Sequence, residues 1–220
     1  MANVLWMTTN NTLDDHITML DKKIKQNLNN ELETLDKIFI DIKKISGVKF
    51  YKKNIPIHLV ISSHNCNDIL GWFSIMRNRS DLVLECSCPD KKKTNFLILV
   101  LAHELFHLSI RKNQELKAQI EKLSKQNGIR LERLSKNMSL AMVLEELLIS
   151  SFAPEGFFAS CYFGSKIKSI RHFKEKNKII NFISARRFCA YNLKKLAEDY
   201  AINEKVIDEK YLLFLIDKIK

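Results

Sequence analysis

Apolar residues recur every three or four positions from Leu13 to Ile45, through Ile17, Leu20, Ile24, Leu28, Leu32, Leu35, Phe39 and Ile42. That period places them on one face of a long helix, which TLDD at 12–15 can cap and Gly47 ends, with a break near Asn29-Asn30. The pattern then changes. IHLVIS (57–62), GWFSIM (71–76) and LVLECSC (82–88) are short runs rich in strand formers, with 77–81 as a hairpin connection, and they predict a three-stranded sheet. After Pro89 and a lysine run, Thr94 can cap a helix over 95–112 whose first turns, FLILVLA, are apolar on every side. Such a helix must be buried. A polar amphipathic helix over 115–127 stops near Gly128, and another over 138–152 is stopped by APEG at 153–156. Ile179, Phe182, Ile183, Phe188, Leu193 and Leu196 fit one further helix, and Val206, Ile207, Tyr211, Leu212, Leu215 and Ile216 fit a last one. The expected fold class is α+β: mostly helical, with a small three-stranded sheet ahead of the buried helix. Its segments are an N-terminal helix (1–47), a core (48–156) and a C-terminal helical region (157–220).

Composition narrows the class. With 220 residues, 46% of them hydrophobic, the chain can bury one substantial core or two modest ones. Its longest purely apolar run, at 96–102, is far below the roughly 18 to 20 residues that cross a bilayer, so no membrane partner is expected. The start, MANVLWMTTN, has no basic leader region, which points to a cytoplasmic protein. Five cysteines, an odd number, read as reduced thiols in that compartment. Cys86 and Cys88 with His64 and Cys66 have a spacing that a structural zinc site can use, but C-x-C in a strand is more simply two small buried side chains.

The net charge of +11 is unevenly placed. Over 165–200 ten basic residues face three acidic ones, among them Lys166, Arg186, Arg187 and Lys195. A basic face can attract nucleic acid or an acidic protein. The interleaved Phe182 and Phe188 sit at core spacing, however, which favours solvated helix surface over a nucleic-acid platform.

Chemistry concentrates in the buried helix, where residues 103–107 read HELFH. On a helix, His103 and His107 share a face and can reach one Zn²⁺, while Glu104 lies beside it, where it can take a proton from water. Catalytic zinc usually has three protein ligands, and no histidine follows His107 until His172. An acidic third ligand is therefore favoured, and Glu145 and Glu146 stand in SLAMVLEELLISSF, an otherwise apolar or hydroxyl-bearing helix. At about 100° per residue, Ser139, Glu146 and Ser150 form one polar stripe, which selects Glu146. Glu145, alone among apolar neighbours, is the other choice.

Over 57–156 the chain resembles the gluzincin branch of zinc metallopeptidases, in which H-E-x-x-H supplies two ligands and the base and a following helix supplies a glutamate. HELFH matches that motif completely. The GWF hairpin and LVLEC strand look like the small sheet of minimal zincins, including SprT-like and ImmA/IrrE-type proteins. ELLISSFA at 146–153 is similar to the ImmA/IrrE-type stretch after the ligand glutamate, a register that supports Glu146. Ser150 stands where an acidic or amide residue is common, and the third histidine of the SprT type is absent. The resemblance implies a zincin-like core and a peptidase of peptide or protein substrates, with zinc on His103, His107 and Glu146 and with Glu104 as general base. It also implies that 82–88 is the edge on which extended substrate docks. Tyr162 and His172, which follow the ligand helix, are candidates for stabilising the oxyanion. The rival reading is an inactive zincin-like module that binds a partner through its basic C-terminal helices.

Overall fold

The computed structural model describes residues 6–8, 26, 29–48, 57–61, 70–76, 79–86, 91–134, 137–164 and 179–219. The helix start at Thr12, the candidates His64, Cys66, Cys88 and His172, and the basic residues 166–178 lie outside them. The chain is mostly helical and divides into two units, residues 1–40 with 49–108 and residues 41–48 with 109–220.

The first unit holds a sheet of four strands rather than three: β1 (Trp6–Thr8), β2 (Ile57–Ile61), β3 (Leu70–Met76) and β4 (Arg79–Cys86), in the order β1-β2-β4-β3. β1 is three residues long, too short for any periodicity. Its parallel pairing with β2, Trp6 opposite Ile57, is a contact across some fifty residues that local pattern does not carry. β2 runs parallel to β4, with Ile57 opposite Leu82, and β3 is antiparallel to β4 from Leu70–Glu85 to Met76–Arg79. The ladder thus continues through Arg79 and Ser80, and only residues 77–78 separate β3 from β4. Hydrophobicity marks where a strand is buried, whereas backbone bonds pair polar residues equally well. β4 has a partner on each side, so the expected docking edge at 82–88 is central in the sheet as far as it is described, with 82–85 paired on both sides; residues 87–88 lie outside the described residues.

α1 (Leu32–Ser46) begins just after an interruption at Glu31, beside the expected break. Leu35, Ile38, Ile42 and Ile45 form its buried stripe. It closes on Gly47, whose φ of +66° is a left-handed conformation that a β-carbon would disfavour. α2 (Lys91–Lys112) is about 33 Å long at 1.5 Å per residue. It starts before Thr94, because lysine is a good helix former and nothing in 91–93 delays the first turn. Residues 97–102 are all buried, as an all-apolar surface requires.

The second unit is helical. α3 (Gln114–Gln126) is capped by Asn113, whose Oδ1 accepts from the Leu116 N–H while its Nδ2 donates to the Ser46 carbonyl at 2.7 Å. A short α4 (Gly128–Glu132) precedes α5 (Leu140–Ser150), narrower than the expected 138–152 because Ser139 is the N-cap. α5 is the hub, packed against α3, α4 and the two later helices α7 (Phe182–Asn192) and α9 (Glu209–Lys218). Between them lie α6 (Phe157–Phe163) and α8 (Lys194–Ile202). The single helix expected over 179–196 is therefore two, α7 and α8, joined at Leu193. Periodicity did not reveal the joint, because Phe188, Leu193 and Ala197 are buried on both sides of it. Ile183, expected in the core, is 61% exposed. Val206 and Ile207 precede α9, and the Ile207 N–H donates to the Ile45 carbonyl at 2.7 Å. Among the described residues, no helix is long and apolar enough to cross a membrane.

Candidate metal centre

His103, Glu104 and His107 lie in the buried half of α2, at 6%, 7% and 7% exposure. Their neighbours Ala102, Leu105, Phe106 and Leu108 are all but inaccessible to solvent. Burying two imidazoles and a carboxylate is costly unless they are paired or bind an ion. The helical repeat sets the two histidines one turn apart, with ring centroids 4.8 Å apart and planes at 77°. Their Nε2 atoms approach to 3.1 Å.

Glu146 completes the group. One ligand atom from each of His103, His107 and Glu146 lies within 4.8 Å of the others, and these residues could hold a metal ion. The chemistry of the donor set, two imidazoles and a carboxylate, fits zinc, and the separation of the two imidazole nitrogens is compatible with it. Two nitrogens bound tetrahedrally at 2.0–2.1 Å stand about 3.3 Å apart, close to the spacing of the two Nε2 atoms. Two nitrogens and one oxygen are also the three-ligand set that leaves a fourth position open. Glu145, the other choice from sequence, is partly exposed and outside the group.

The α5 backbone that carries Glu146 is pinned at both ends. Ser139 Oγ accepts from the Met142 N–H at one end, and Ser151 Oγ meets the Tyr211 hydroxyl at 2.6 Å at the other. Burial pushes the Tyr211 phenol well above its usual range, so this pair stays protonated. Glu146 itself is 17% exposed, with Oε2 3.8 Å from Arg186 Nε on α7. That Nε–H donates to Ser150 Oγ at 2.9 Å, and Ser150 Oγ donates to the Glu146 carbonyl at 2.7 Å. In sequence Ser150 falls on the polar stripe, whereas Arg186 reads as surface charge. Nothing local ties a residue forty positions downstream to Glu146. Its neighbour Arg187 faces Glu155 at 3.9 Å, so Arg186 and Arg187 both meet acidic side chains.

Tyr162 does not stand free for an oxyanion: its hydroxyl donates to Asp41 Oδ2 at 2.5 Å. Burial, that acceptor and the Asp41 charge push its pKa up. Of the cysteines described, Cys161 is exposed, and Cys189 is buried with its thiol pushed up to about 12. No protein-family model, curated protein or solved structure matches the chain.

Proposed function

We propose that this chain is a zinc-dependent peptidase of zincin type, in which His103, His107 and Glu146 hold the metal and Glu104 is the general base. The observation that carries the reading is the grouping of those three donors within 4.8 Å of one another, with a buried carboxylate one residue from the first ligand. Zinc bound there would polarise the scissile carbonyl and lower the pKa of water towards ~7. Glu104 takes a proton from the attacking water as its oxygen bonds to the carbonyl carbon. It then returns that proton to the amide nitrogen as the C–N bond breaks, so it ends each turnover ionised. Low exposure keeps bulk water from competing with the carboxylate. A structural zinc site needs no base between its ligands, and Glu104 therefore favours an enzyme over a binding module.

The test combines metal content with cleavage of a peptide library. Purified protein should carry about one equivalent of zinc, which His103→Ala or His107→Ala should lose, because one missing ligand opens a three-ligand site. Glu104→Gln should keep the zinc and lower cleavage by about 10²- to 10⁴-fold. Full zinc in both histidine variants, or undiminished cleavage by Glu104→Gln, would refute the assignment.

A further inference from the structure

Glu146 has two carboxylate oxygens, and a metal with an open position needs only one of them. Oε2 is fully buried and is the oxygen that stands 3.8 Å from Arg186 Nε. Arg186 is itself held in place. Its Nε–H is committed to Ser150 Oγ, its guanidinium carbon lies 5.8 Å from the centre of the Phe182 ring, and the side chain is only 32% exposed. Ser150 in turn spends its one proton on the Glu146 backbone carbonyl. These contacts form a closed loop: Glu146 backbone, Ser150 hydroxyl, Arg186 guanidinium and Glu146 carboxylate.

We propose that Arg186, anchored through Ser150, is a positioning residue for the third metal ligand. It holds one oxygen of Glu146 so that the other is presented to the imidazoles of His103 and His107. The proposal rests on the zinc reading above and deepens it. It also gives Ser150 a role: its hydroxyl accepts from an arginine that comes from another helix. A ligand carboxylate steadied by an outer partner, here an ion pair at 3.8 Å and not a hydrogen bond, loses less freedom on binding the ion, and removing outer partners typically costs 10- to 100-fold in metal affinity.

Charge alone predicts the opposite sign. A guanidinium this close repels a divalent cation, so if Arg186 acted only through its charge, deleting it would tighten zinc binding. The test is zinc affinity measured by competition with a chromophoric chelator, together with the visible spectrum of the Co²⁺-substituted protein, which reports coordination directly. Arg186→Met and Ser150→Ala should each weaken zinc by about 10- to 100-fold and alter the Co²⁺ bands. The double variant should be little worse than either single one, because the two side chains act as one unit. Arg187→Met, beside Arg186 but facing Glu155, should leave both readouts unchanged. Unchanged or tighter zinc binding in Arg186→Met or Ser150→Ala would overturn the proposal. His103→Ala and His107→Ala separate the two failures. If they lose zinc while Arg186→Met keeps it, the ligand set stands and only the positioning role falls. If they too keep zinc, the ligand set is wrong and the proposal falls with it.

Discussion

Ser151, the residue that ends the Glu146-bearing helix, gives a prediction whose size follows from a proton count. Its Oγ lies 2.6 Å from the Leu148 carbonyl and 2.6 Å from the Tyr211 hydroxyl, and both side chains are completely buried. A serine has one hydroxyl proton, and here the Leu148 carbonyl receives it. Tyr211 must then donate into a Ser151 lone pair. Ser151→Ala strands the phenolic O–H, which has no other acceptor among the described residues, at a cost of about 1–3 kcal/mol. Tyr211→Phe leaves the bond from Ser151 to Leu148 intact and removes only an accepted one, so it should cost less, about 0.5–1.5 kcal/mol. In the double variant no buried donor is stranded. Its cost should not exceed that of Ser151→Ala, leaving a coupling of about 1 kcal/mol. Urea unfolding of the four proteins at neutral pH, with a common m-value, measures this directly. A larger loss in Tyr211→Phe than in Ser151→Ala would mean that the proton runs the other way. Strictly additive losses would mean that the two hydroxyls do not share a bond.

Three further outcomes are expected. Glu146→Ala should weaken zinc binding strongly while Glu145→Ala leaves it near wild type, and a chelator titration showing the reverse would move the ligand to Glu145. Gly156→Ala should lower stability by about 3 kcal/mol in the same urea assay, because its β-carbon would overlap the Ser151 carbonyl and stand 2.6 Å from Phe152 N, backbone atoms that no rotamer change can move; a loss below about 0.5 kcal/mol would show that the corner opens instead. Tyr200, half of a hydrogen bond to Asp208, has its pKa pushed up to about 12 by burial and that acceptor. The neutral phenol is the form the fold favours, so its contribution is complete below the unfolded pKa of about 10 and is lost as the pH rises towards 12. Stability should fall less steeply over that window in Tyr200→Phe, and an identical slope in the two proteins would refute the link.

What the amino-acid order determined by itself was everything that repeats over one turn of a helix. The i, i+4 spacing alone puts His103 and His107 on one face with Glu104 beside them, and the apolar turns before them require that face to be buried. The stripe of Ser139, Glu146 and Ser150 singled out the glutamate that the structure brings to the histidines, since those residues share one short helix. Every feature that depended on the distant chain needed the tertiary structure. β1 pairs with a strand some fifty residues away, and the central position of β4 follows from β2 and β3 both choosing it as partner. The joint at Leu193 is invisible to periodicity because burial continues across it. Arg186 reads in sequence as one more charge in a basic run, and only the packing of α7 on α5 sets it against Glu146. Local backbone geometry is written in neighbouring residues. Which helix faces which is decided by the sum of many weak apolar contacts, and no short stretch of sequence contains that sum.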